Sequence, residues 1–112
     1  MTIEAGDPDL RIDLFGGRGE VRVWSLLRRA AEPFTAILSC ELVPGGSVGE
    51  HCQEEFAEIV IGVDGEGEAT VDGAAHRLHA GDVVYLPLGS VLSIVNRLDE
   101  APLRYLIVKA RA

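Results

Sequence analysis

The sequence predicts an all-β domain, a sandwich or small barrel made of short strands and tight turns. Three observations carry that expectation. Short runs rich in Val, Ile and Leu recur from Glu20 to the C-terminus, and turn-forming residues stand between them at near-regular intervals. The 13 glycines and 5 prolines leave few stretches long enough for a helix. At 112 residues and 47% hydrophobic, the chain amounts to one domain with enough apolar material for a core.

Taken in order, residues 1–19 carry Gly6, Pro8 and Gly16-Gly17-Arg18-Gly19 and read as an irregular lead-in, with the β domain spanning 20–112. Val21, Val23, Ser25 and Leu27 then alternate with Arg22, Trp24 and Leu26 as on a strand. A helical turn over 26–31 is stopped by Glu32-Pro33. Further strands are expected at 34–43, 57–63, 66–71, 76–79, 82–86, 91–96 and 103–108. Their separators are Pro44-Gly45-Gly46, Asp64-Gly65, Asp72-Gly73, Ala80-Gly81-Asp82 and Pro87-Leu88-Gly89. Asp-Gly between apolar runs predicts type I′ hairpins, because both central residues need positive φ. Two successive hairpins, at Gly65 and at Gly73, are therefore expected.

Charge and cysteine content narrow the function classes. Ten basic against eighteen acidic residues give a net charge of −8, which repels phosphate backbones and anionic membrane surfaces. Nucleic-acid and membrane roles are thus disfavoured, and no apolar run approaches the roughly 18 residues that span a bilayer. Cys40 and Cys52 are too few for a disulfide framework or an all-cysteine zinc site, and both are expected to be free thiols. The acidic N-terminus lacks the apolar core of a secretory signal, so a cytoplasmic location is expected.

Gly45-Gly46-Ser47-Val48-Gly49 fits the G-x-S-x-G nucleophile pattern, but that elbow needs a following helix and a large α/β sheet. Pro44 precedes it and no helical periodicity follows, so it reads as a glycine-rich turn. The informative stretch runs from Gly45 to Gly65, where His51, Gln53 and Glu58 lie close together. On an extended segment His51 and Gln53 share a face, and a turn over 54–57 lets Glu58 meet them. Imidazole, amide oxygen and carboxylate can converge there on a divalent Fe, Mn, Ni, Cu or Zn ion. The plainer alternative is a solvated acidic loop with an incidental histidine.

This spacing resembles the cupin family. Gly45, His51, Gln53, Glu58 and Gly65 follow one another as the family's first motif does, with 5, 1, 4 and 6 residues between. Gly81, Pro87, Gly89, Leu92 and Asn96 resemble its second motif, and 15 residues separate the two. The resemblance implies a double-stranded β-helix, or jelly-roll barrel, with a ligand cavity inside. Among metal-binding cupins it places the ligand positions on His51, Gln53, Glu58 and Leu92. Only His51 and Glu58 keep the usual chemistry, since Gln53 offers a weak neutral oxygen and Leu92 none.

Two readings stay open. In the first, the barrel is an enzyme: a metal on His51, Gln53 and Glu58 polarises a substrate, as in isomerases, cyclases and dioxygenases of the family. Without a metal, His51 and Glu58 serve as a catalytic acid–base pair. In the second, the barrel is a non-catalytic small-molecule-binding or sensory module. His76 and His79, three apart on a strand, point to opposite faces and read as edge or surface residues. Cys40 reads as core, and Cys52 as a packing residue facing away from His51 and Gln53. Residues 57–63 are apolar on both faces, with Ile59, Ile61 and Val63 on one and Val60 beside Glu58 on the other. Together with Trp24 this predicts a homodimer, unless the N-terminal segment covers the second face.

Overall fold

The computed structural model describes residues 6–111. Ten strands form two antiparallel sheets that close over a shared apolar interior. They are β1 (Asp9–Ile12), β2 (Glu20–Ser25), β3 (Phe34–Leu42), β4 (Ser47–Cys52), β5 (Ala57–Asp64), β6 (Glu66–Val71), β7 (Ala74–His79), β8 (Val83–Leu86), β9 (Val91–Asn96) and β10 (Leu103–Ala110). The larger sheet runs β1-β2-β3-β10-β5-β8 and the smaller β4-β9-β6-β7. This is the jelly-roll barrel expected from the sequence.

Alternation sets each strand's inner face. Val21, Leu42, Val60, Leu86, Leu103 and Tyr105 point inward from the larger sheet, and Val48, Ala69, Leu78, Leu92 and Ile94 from the smaller. Asn96 ties one end shut. Its side-chain amide donates to the carbonyls of Leu42, Val43 and Ala101, and its Oδ1 accepts from the Leu98 amide.

Four expectations change. The lead-in is not wholly irregular: residues 9–12 pair with β2, and a short 3-10 turn, Leu14–Gly16, packs on β4. Residues 1–5 of it lie outside the described residues. That turn sits backbone against backbone on the strand, since a Cβ on Gly49 would lie 1.9 Å from the Phe15 carbonyl oxygen. Residues 47–52, left without a strand in the sequence reading, form β4. Asp64-Gly65 makes no hairpin, because β5 and β6 belong to different sheets. Only Gly65 of that pair has positive φ, and it steers the chain across. At Asp72-Gly73 both residues have positive φ, 49° and 84°, and β6–β7 is the expected two-residue hairpin. No helix forms over 26–31.

The outer face of the larger sheet is apolar along two rows in register. One runs Trp24, Ser39, Leu106, Ile61, Val83, and the other Ile37, Val108, Ile59, Tyr85. Trp24 is buried, whereas Ile59, Val83 and Tyr85 are exposed, so the described N-terminal residues do not cover this end of the face. A charged row, Arg22, Glu41, Arg104, Asp64, borders the patch. Arg104 bonds Glu41 and Asp64 at 3.0 Å each.

Candidate functional site

A cavity of about 660 Å³ opens inside the barrel. Its walls are largely apolar, with Val23, Leu38, Leu92, Ile94 and Ile107 among them. His51, Gln53 and Glu58 all line it, and so does Leu92. The three residues grouped in the sequence, His51, Gln53 and Glu58, therefore share one chamber with Leu92, the fourth position that the cupin resemblance implied.

A bulge aims His51. Val48 pairs with Ile94 and His51 with Leu92, so three steps on β4 match two on β9. The extra residue turns what would be opposite faces into one, and His51 joins Val48 on the inside. Nδ1 lies 3.0 Å from the Gly49 carbonyl oxygen. A carbonyl only accepts, so Nδ1 carries the proton, and in the neutral ring Nε2 is left as an acceptor. Phe15 stacks on the imidazole with centroids 3.9 Å apart and planes 14° from parallel. Gln53, just past β4, is held by its backbone, which donates to the Ser90 carbonyl and accepts from the Gly89 amide.

Glu58 sits on β5, 3% exposed. Lys109, its register partner on β10, brings Nζ to 3.3 Å from Oε1. Oε2 is buried with no hydrogen-bond partner among the described residues. An orphan charged oxygen of this kind is costly, because a desolvated acceptor forfeits its bonds to water. Nearby, Cys40 and Tyr105 face each other in register across β3 and β10. Burial, then the negative charge of Glu58, pushes the Cys40 thiol up to about 12, against smaller lowering by Lys109 and by a hydrogen bond with Tyr105. Burial, then Cys40, also raises the Tyr105 hydroxyl well above its usual range. Both are held neutral at physiological pH.

The remaining expectations separate. Cys40 is buried and Cys52 exposed, and both are free thiols. Cys52 is not a packing residue: its Sγ donates to the Gly89 carbonyl oxygen at 3.5 Å at the surface. His76 is exposed and His79 half-buried, both on the edge strand β7. Lys109, Tyr105 and Phe15 were missed. A lysine in inward phase with Tyr105 and Ile107 on an apolar strand was a readable signal. Phe15 gave none, since nothing in its neighbourhood is periodic.

The donors do not fit a transition-metal centre. No group of three His, Cys, Asp or Glu side chains able to hold a metal occurs among the described residues. Leu92, 1% exposed, fills the fourth cupin position with an aliphatic chain. Lys109 already supplies the positive charge at Glu58 that a cation would bring, and Gln53 is a weak neutral donor.

A family model described as Cupin domain matches residues 38–109. The chain is 36% identical over 91 residues to a Thermotoga maritima protein named oxalate-binding protein, spanning 80% of this chain and 75% of that one. The crystal structure of a predicted oxalate decarboxylase from Thermotoga maritima superposes with a TM-score of 0.89 at 30% identity, covering 100% of this chain and 99% of its own. A cupin 2 conserved barrel domain protein from Salinispora arenicola gives a TM-score of 0.67 at 38% identity, covering 89% and 80%. No helix among the described residues is long and apolar enough to cross a membrane.

Proposed function

Because the chain belongs to the cupin domain family, we propose that it binds a small molecule inside its barrel without a resident metal. One observation supports this reading: Glu58 Oε2, on a residue lining a roomy cavity, is buried without a hydrogen-bond partner among the described residues. A bound molecule that donates a hydrogen bond there removes the desolvation cost. The volume, about 660 Å³, lies in the range of small-molecule pockets. The name of the Thermotoga maritima relative, oxalate-binding protein, supports small-molecule binding as the activity.

His51 and Glu58 are the polar residues we assign to the ligand, with Gln53 beside them in the lining. Isomerase- or cyclase-type chemistry on this site would use Glu58 as the proton acceptor and Lys109 as the cation that holds its charge. Dioxygenase chemistry needs a redox metal, which these donors do not fit. The non-catalytic reading uses the same contacts and no proton transfer.

We also infer that the chain is a homodimer joined through the outer face of the larger sheet. Val83 and Tyr85 are 61% and 63% exposed there beside Ile59, and the Arg104 ion pairs form a polar rim.

The test is an NMR titration of EDTA-treated protein with a library of small polar molecules. The reading expects shifts clustered at His51, Glu58 and Lys109. Ligands that shift only residues of the outer surface would overturn it.

A further inference from the structure

Two acceptors at the cavity, Glu58 Oε2 and His51 Nε2, have no protein donor bonded to them among the described residues, although Arg11, Gln53 and Lys109 also line it. Glu58 is 3% exposed, its Oε1 faces Lys109 and its Oε2 has no hydrogen-bond partner among the described residues. His51 gives its Nδ1 proton to the Gly49 carbonyl, and no protein group is bonded to Nε2 among the described residues. The charges around them do not favour an anion. Glu54, Glu55 and Glu58 line the cavity against Arg11 and Lys109, and Lys109 is already engaged by Glu58. The remaining lining is mostly apolar.

An acceptor-only dianion therefore finds both lining cations already paired, Lys109 with Glu58 and Arg11 with Asp9 at 3.9 Å, and meets an unpaired carboxylate oxygen in a largely apolar chamber. A molecule with N–H or O–H groups finds the opposite: each donor it brings satisfies a buried acceptor and adds no charge. Hydrogen bonds to a charged carboxylate are the stronger kind, while an acceptor left unpaired in a buried site penalises the wrong ligand heavily.

We propose that the ligand is an uncharged, largely apolar molecule with a head of hydrogen-bond donors, of the primary-amide or diol class, and not a carboxylate. The donor head sits at Glu58 Oε2 and His51 Nε2, and the apolar body lies against Leu38, Leu92, Ile94 and Ile107. This rests on the reading of the barrel as a metal-free binding site and deepens it.

Benzamide and benzoate test the proposal, because they share a ring and differ only in a donor head against an anionic acceptor head. Each is titrated into the EDTA-treated full chain and followed by NMR shifts of the cavity residues. The expected result is binding of benzamide at least about tenfold tighter than benzoate, roughly 1.4 kcal/mol. Glu58→Gln, which presents an amide in place of the carboxylate, should shrink that preference to near parity. The wild-type comparison stands alone should this variant not fold. Benzoate binding as tightly as benzamide would overturn the donor class and leave the binding barrel intact. If neither molecule shifts a cavity residue, both the donor class and the binding reading fall.

Discussion

Lys109 and Glu58 face each other across β10 and β5, with Nζ 3.3 Å from Oε1, and the carboxylate is 3% exposed while the lysine side chain reaches 31%. The cation is half in water and the anion is not. Removing the lysine therefore leaves a buried charge without compensation. Lys109→Met should cost roughly 3 kcal/mol, whereas Lys109→Met with Glu58→Gln should cost clearly less, since both charges go together. Denaturant unfolding of the two variants and the parent checks this. A double variant no more stable than the single one would mean that the pair is not coupled.

Gly49 is the point where the Leu14–Gly16 turn touches β4. A Cβ there would lie 1.9 Å from the Phe15 carbonyl oxygen, a contact that only backbone movement relieves. Gly49→Ala should push the turn off the strand and break the stack of Phe15 on His51, with the barrel itself still folded. The readout is the loss of ring-current shifts at His51 by NMR. Unchanged shifts would show that the turn does not depend on this approach.

The Cys40 thiol is raised from 9.0 to about 12, first by burial and then by Glu58. In the unfolded chain it ionises near its ordinary value, and in the folded chain it resists. Its contribution to stability is thus full below pH 9.0 and is lost progressively as pH rises toward about 12. Cys40→Ala should flatten the alkaline fall in melting temperature relative to the parent. At pH near 8 a thiol reagent should modify the exposed Cys52 quickly and Cys40 only on unfolding. Equal rates at the two cysteines would contradict the burial of Cys40.

The apolar rows on the outer face should hold two chains together. Light scattering is expected to give twice the chain mass at micromolar concentration, and Tyr85→Glu with Val83→Glu should return a monomer that still folds. A monomeric parent would remove the dimer from the account.

Most of the fold was legible because it follows from local rules. Short apolar runs between turn-forming residues marked β5, β6 and β9, and Asp72-Gly73 marked its hairpin, since turn and strand twist agree there. Asp64-Gly65 carried the same dipeptide and misled, because sheet membership is decided by distant pairing of β5 with β10 and β6 with β9. The positions of His51, Gln53 and Glu58 at one cavity could be read from motif spacing. The bulge that aims His51 could not, as it exists only against the register of β9. Lys109 lies 51 residues beyond Glu58, and no local pattern joins them.

Metal affinity tests the central claim most directly: the barrel works with Lys109 supplying the positive charge that a metal cation would bring. Protein purified without a chelating tag is analysed for elements, then stripped with EDTA and titrated calorimetrically with Ni²⁺ or Zn²⁺. Leu92→His, which puts a second imidazole beside His51 in register, is the reference. The account predicts far less than one metal ion per purified chain and weak binding by the parent. The variant should bind at least about tenfold more tightly, roughly 1.4 kcal/mol. Near-stoichiometric metal in the parent, lost on Glu58→Gln, would contradict it.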